Sequence, residues 1–282
     1  MGILYIDGDF IEAKDATLPV TDLSILRGFG VFDYLRTYGG TPFQLGAHLR
    51  RLQHSAALIE LACPWDIEQL AEIVLETLRR NHLDEAGIRI VLTGGDSPNG
   101  FMPVGKSRLL VMAGPLQTLS ASSYERGECV ATIDQARILP EAKTINYIPG
   151  ITAQIKARRR VADAIEAIYI VDGKVIEGTR SNVFIYNDDR WITPAEGLLL
   201  GVTRAEVIKL LGDAIELRDI PLEEFYAADE VIVTASTKEI LPIVTVDNMT
   251  IGAGTPGENS KRLMRRWREM TDAYAKAGHS RF

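Results

Sequence analysis

The stretch Glu177-Gly178-Thr179-Arg180-Ser181-Asn182-Val183-Phe184 lies in the strand-rich second half of a 282-residue chain. Upstream, Ala167 to Val171 is an apolar strand-like run that stops at the turn Asp172-Gly173-Lys174. Downstream, Asn182 to Tyr186 reads as a second strand, so the glutamate and its glycine fall between two strands. Further outward, strands are expected at Val130 to Ile133, Ala214 to Leu217 and Glu230 to Thr234. Helices are expected near 148–163, 203–212 and 258–276.

The first half has a different grain. Ile3 to Phe10 reads as a hairpin around Asp7-Gly8, and Val31 to Tyr38 as a strand running into Gly39-Gly40. Leu45, Leu49, Leu52, Ala56 and Ile59 recur at helical spacing, and Trp65 to Arg80 repeats the pattern. Two strands follow, Gly87 to Thr93 and Arg108 to Met112. The outline is α/β (α+β): a small N-terminal domain at 1–113, a polar linker at 114–128 and a larger domain at 129–282.

Composition excludes several classes. A net charge of −7 and a pI near 5.3 argue against nucleic acid as a partner. Cys63 and Cys129 form no Cys-x-x-Cys pair, and His48, His54, His82 and His279 no ligand-spaced cluster, so no metal is expected. Acidic residues within the first ten positions argue against a signal peptide, and no uncharged apolar run is long enough for a membrane span. The expected compartment is the cytoplasm.

Two glycine motifs point to a nucleotide-binding protein, the reading from another class. Gly100 to Ser107 matches the P-loop pattern, but strand-like Arg108-Leu-Leu-Val-Met follows where a helix is needed. Gly252-Ala-Gly-Thr-Pro-Gly257 matches G-x-G-x-x-G, yet about 25 residues remain after it, too few for a βαβ unit. It reads as a turn that launches the last helix.

Four blocks occur in a telling order: Lys143-Thr-Ile-Asn-Tyr147, Glu177 to Phe184, Gly201-Val-Thr-Arg204 and Thr234-Ala-Ser-Thr-Lys-Glu239. With Val31-Phe32-Asp33 and His48-Leu-Arg-Arg51-Leu52 upstream, they resemble fold-type IV enzymes dependent on pyridoxal 5′-phosphate (PLP) over nearly the whole chain. These include branched-chain aminotransferases, D-amino-acid aminotransferases and aminodeoxychorismate lyases. The resemblance implies a small α/β domain plus a larger pseudo-barrel domain, and a homodimer acting on an amino acid and a 2-oxo acid. It implies that Lys143 carries PLP as a Schiff base and that Glu177 holds the proton on the pyridine nitrogen. For the phosphate it implies Arg51, Val202, Thr203, Ser236 and Thr237, and for the ring face Leu199. Phe32 and Tyr147 correspond to substrate-pocket residues. Val202 and Thr203 also open an expected helix, whose free N–H groups suit an anion, although Thr203 and Glu206 equally spell a capping box.

Substrate choice departs from both familiar patterns. Asn99 and Phe101 stand where well-known D-amino-acid aminotransferases have an Arg-x-His pair. Arg89 matches branched-chain enzymes, but Gly87 stands where their tyrosine belongs. Arg27 takes the place of a tyrosine contributed by the neighbouring subunit, and Arg180 replaces a small residue after Glu177. Arginine suits planar, bidentate carboxylate recognition, so Arg27, Arg89 and Arg180 are expected to form the carboxylate trap of a D-amino-acid aminotransferase using 2-oxoglutarate or pyruvate. A branched-chain L-aminotransferase is the second reading and aminodeoxychorismate lyase the third.

Overall fold

The computed structural model describes residues 2–278, so His279 lies outside the described residues. The chain divides into two compact units. Of the described residues, the first holds Gly2 to Gln117, the segment Ala142–Asn146 and Thr271 to Gly278; the second holds Thr118–Glu141 and Tyr147–Met270. The expected boundaries at 113 and 129 left out two features. The short piece around Lys143 and the described residues from Thr271 to Gly278 belong with the N-terminal unit, because each makes its contacts there.

Among the described residues the first unit carries a six-stranded sheet. In chain order its strands are β1 (Ile3–Ile6), β2 (Asp9–Glu12), β3 (Gly30–Tyr38), β4 (Thr41–Pro42), β5 (Ala86–Thr93) and β6 (Arg108–Pro115), arranged β2-β1-β6-β5-β3-β4. Its helices are α1 (Leu23–Arg27), α2 (Leu45–Leu58) and α3 (Ile67–Asn81). Asp7 and Gly8, at φ 49° and 112°, make the tight turn that joins β1 to β2. Asp66 starts α3 with a reciprocal capping box to Gln69. Strict alternation in β5 sends Ile88, Ile90 and Leu92 into a core with Val31 and Leu35 of β3 and with Leu49 and Leu52 of α2. The other face of β3 and β5 therefore carries Phe32, Tyr34, Gly87, Arg89 and Val91.

The second unit is built on a ten-stranded sheet, counted among the described residues. It begins with α4 (Ala121–Arg126), inside the stretch expected as a linker, then β7 (Glu128–Asp134), α5 (Ile148–Arg160), β8 (Glu166–Val171), β9 (Lys174–Gly178) and β10 (Asn182–Asn187). It continues with β11 (Arg190–Thr193), α6 (Val202–Leu211), β12 (Ile215–Leu217), β13 (Ile220–Pro221), α7 (Leu222–Tyr226), β14 (Glu230–Ala235), β15 (Glu239–Val246), β16 (Met249–Thr250) and, as far as Met270, α8 (Glu258–Ala277). The order is β12-β11-β10-β14-β15-β7-β8-β9-β13, with β16 on β15. β7 and β8 run parallel, which requires a crossover, and α5 supplies it with Ala153 and Ala157 packed on Ala131 and Ala167. The opposite face buries Val130, Ile168, Val183, Val231 and Leu241, so these strands read as continuous apolar runs.

Both glycine motifs resolve as structure. The 100–107 loop leads into strand β6, not a helix. Gly257 packs against the carboxylate of Glu230, which accepts from Asn259 N at 3.0 Å and Ser260 N at 2.7 Å and so caps α8.

Candidate active site

In the first unit, the segment holding Lys143 lies along the edge of β3. Phe32 N donates to Lys143 O at 2.9 Å and Ile145 N to Gly30 O at 3.0 Å. From the helix side, Lys143 N donates to Ser55 Oγ at 3.0 Å. The lysine backbone is thus fixed at both its N–H and its carbonyl. Its ammonium sits 4.8 Å from the centroid of the Phe32 ring. The Arg89 guanidinium lies 5.2 Å from the same centroid and 5.4 Å from that of Tyr34.

On the opposite face of β3, Asp33 is fully buried beneath α2. Arg51 grips it bidentately, Nε to Oδ2 at 2.8 Å and a terminal nitrogen to Oδ1 at 2.8 Å. His48 Nδ1 lies 2.7 Å from the same Oδ1, and the carboxylate selects the tautomer that donates to it. Burial would raise the Asp33 pKa, but Arg51 and His48 outweigh it and hold the carboxyl well below the usual range. Burial pulls the His48 pKa down despite Asp33. Arg51 is therefore oriented by Asp33, which the Val31-Phe32-Asp33 block marked without assigning it a role, and β3 separates it from Phe32 and Arg89.

In the second unit, Glu177 is 3% exposed at the end of β9. One oxygen accepts from Arg137 at 2.6 Å; the other accepts from Leu199 N at 3.1 Å. Asn182 Nδ2 donates to Leu199 O at 2.9 Å and reaches Glu177 at 3.4 Å. Two expected site residues, Glu177 and Leu199, are thereby brought together by Asn182, whose role the sequence did not reveal. Asn182 also fixes Gly201, where an added Cβ would lie 2.1 Å from its Oδ1. Gly201 is the N-cap of α6. The capping box read from Thr203 and Glu206 does not form: Thr203 lies inside the helix, and Glu206 pairs with Lys209 at 2.6 Å. Helix geometry leaves the first N–H groups of α6, those of Val202 and Thr203 among them, without intrahelical acceptors.

Ser236 and Thr237 form the turn between β14 and β15. Next to them Lys238, itself buried, ion-pairs with Glu166 at 2.5 Å. Glu166 also accepts from Ser181 Oγ at 2.8 Å, Thr179 Oγ1 at 3.2 Å and the N–H of Arg180. One buried carboxylate thus ties the loop after Glu177 to the Ser236-Thr237 turn. Burial would raise the Glu166 pKa, and Lys238 and these hydrogen bonds bring it below the ordinary value. Tyr147 stands just before α5, its pKa raised by burial and its hydroxyl under the charges of Arg137 and Glu177.

The profile of the family described as Amino-transferase class IV matches residues 30–246. The chain belongs to the class IV aminotransferases. A Methanocaldococcus jannaschii member named "Putative branched-chain-amino-acid aminotransferase" is 35% identical over 280 residues, covering 95% of this chain and 96% of that protein. The D-alanine aminotransferase of Bacillus licheniformis is 30% identical over 275 residues, covering 93% and 94%. Among solved structures, a T.th. branched-chain amino acid aminotransferase with pyridoxamine 5′-phosphate superposes with a TM-score of 0.90 at 27% identity, covering 96% and 94%. The two-sheet α/β architecture is that of fold-type IV aminotransferases.

For this class IV aminotransferase the three arginines of the expected carboxylate trap share one property. Arg27, Arg89 and Arg180 are all exposed, and among the described residues none uses its guanidinium to bind an acid. Arg27 donates only to the carbonyl of Leu26, at 2.9 Å. Among the described residues no group of three or more His, Cys, Asp or Glu is placed to hold a metal ion, and no helix is long and apolar enough to cross a membrane.

Proposed function

We propose that this aminotransferase moves an amino group between a D-amino acid of the alanine or glutamate class and a 2-oxo acid such as 2-oxoglutarate or pyruvate. The observation that carries the reading is the set of three exposed arginines whose guanidinium groups form no ion pair among the described residues. An exposed guanidinium in no ion pair is suited to an incoming carboxylate, which arginine binds bidentately.

The cofactor of the family is PLP, which supplies an electron sink for the bond broken at the substrate Cα. The residues fit such a group. Glu177 is a buried carboxylate held by Arg137 and Leu199 N, suited to keep a proton on a ring nitrogen. Thr234, opposite Asn182 in the β10–β14 pairing, has a buried hydroxyl with no hydrogen-bond partner among the described residues, and a polar ligand would satisfy it. In this reading Lys143 is the covalent anchor and, once released, carries the proton to and from Cα. Leu199 packs on the ring. The phosphate is held by the N-terminal N–H groups of α6 at Val202 and Thr203, with Ser236, Thr237 and Arg51. Phe32 and Tyr147 line the substrate side.

A homodimer completes the proposal. Ile25 and Leu26, next to Arg27 in the chain, and Phe101 and Met102, in the loop whose Gly100 meets Leu26, are exposed apolar side chains, and a second copy is the occupant proposed for them. The proposed compartment is the cytoplasm.

Two relatives favour a second reading, a branched-chain L-aminotransferase: the 35% identical archaeal protein and the structure at TM-score 0.90. One experiment separates them. D-alanine, D-glutamate, L-leucine and L-glutamate are added singly to the holoenzyme while its absorbance at roughly 400–420 nm is followed. Bleaching by the D-isomers alone is the expected result. Bleaching by L-leucine and L-glutamate instead overturns the D-specific reading.

A further inference from the structure

The face of the first sheet that turns away from α2 and α3 contains a close fit. In the antiparallel pairing of β3 with β5, Tyr34 lies opposite Arg89 and Arg36 opposite Gly87. The Tyr34 ring leans along this face, and its hydroxyl stands 2.0 Å from where a Cβ on residue 87 would be. Any side chain at position 87 forces that ring to move. The same ring lies 5.4 Å from the Arg89 guanidinium carbon, and Phe32, on the other side, lies 5.2 Å from it. Arg89 is therefore steered by two aromatic rings, with one phenolic oxygen beside it.

The Tyr34 hydroxyl, arriving from the neighbouring strand, thus occupies the space that a side chain at position 87 would take. We infer that Tyr34 is a substrate-recognition residue that works as a coupled pair with Gly87: the glycine leaves room for the Tyr34 phenol, which joins Arg89 in binding the substrate carboxylate. A phenol O–H donates one hydrogen bond and a guanidinium two in a plane, so the two together read a carboxylate from two directions. The inference rests on the carboxylate-binding role proposed for Arg89.

The test uses the holoenzyme of the wild type and of Tyr34→Phe, Arg89→Ala, Gly87→Tyr and the double variant Tyr34→Gly/Gly87→Tyr. Three measurements are made: the calorimetric Kd for glutarate, a dicarboxylate that does not react, the thermal midpoint, and steady-state kcat and KM for transamination. Tyr34→Phe is expected to weaken glutarate about tenfold or more, the loss typical of a hydrogen bond to a charged group, while kcat changes less than KM. Gly87→Tyr is expected to lower Tm by several degrees, the order typical of overpacking, and removal of Tyr34 in the double variant to restore it. If Arg89→Ala weakens glutarate and Tyr34→Phe does not, the inference falls while the role of Arg89 stands. If neither weakens it, both fall. A Gly87→Tyr protein as stable as the wild type overturns the coupling.

Discussion

Two lysines from the diagnostic sequence blocks meet opposite fates. Lys238, in the second unit, is buried and locked on Glu166 at 2.5 Å. Lys143, in the first, is half-buried with its ammonium over the Phe32 ring. The arginines divide the same way. Arg137 is committed to the buried carboxylate of Glu177, whereas Arg89 leans on aromatic rings. A cation paired with a buried acid is fixed and its charge compensated, so it shapes a site. An exposed guanidinium against a ring, as at Arg89, keeps its N–H groups for a ligand. The difference teaches which charges are scaffolding and which are offered to substrate.

The sharpest way to break this division is to remove each lysine in turn. Lys143→Ala is expected to lower turnover on the order of 10³-fold or more while leaving the unfolding free energy nearly unchanged. Lys238→Met is expected to act first on stability: it strands Glu166 and destabilises by about 3–5 kcal/mol. Transamination assays with urea denaturation on both variants check this, and equal stability losses would erase the distinction.

A second effect follows from Asp33 and Glu166, whose folded pKa values lie below their ordinary ones. Each then stabilises the fold at pH above its unfolded value, about 3.9 for Asp and 4.3 for Glu, and loses that contribution as the pH falls toward the folded value. Glu166→Gln is expected to cost about 2–4 kcal/mol at pH 7, with the gap to wild type narrowing below roughly pH 4. A gap independent of pH in denaturation series would contradict it.

The smallest effect concerns Thr234. Its buried hydroxyl has no hydrogen-bond partner among the described residues, so Thr234→Val is expected to leave the cofactor-free protein as stable as before or about 1 kcal/mol more so. The holoenzyme should retain PLP less well on dialysis. A clear loss of stability in the cofactor-free protein would show that the hydroxyl is structurally engaged.

Much of this was legible along the chain. The helical spacing of Leu45, Leu49 and Leu52 marks α2, and the ordered blocks mark the family. The positioning residues were not legible, because their partners are distant in sequence: Lys238 and Glu166 are 72 positions apart, Arg137 and Glu177 are 40 apart. The segment around Lys143 carries no strand pattern, since its regularity comes from pairing with the edge of β3. Strands β9 and β11 went unread because four or five residues beside a turn give little periodicity. The capping box spelled by Thr203 and Glu206 would make Thr203 the N-cap, but the N-cap is Gly201, two residues earlier, packed closely against Asn182.

The central claim is that Lys143, and not the equally motif-borne Lys238, joins the cofactor. Borohydride reduction of the purified holoenzyme fixes that linkage, and peptide mass mapping locates it. The account predicts the added phosphopyridoxyl mass on the peptide containing Lys143; finding it on Lys238, or on no lysine of a PLP-loaded protein, would contradict it.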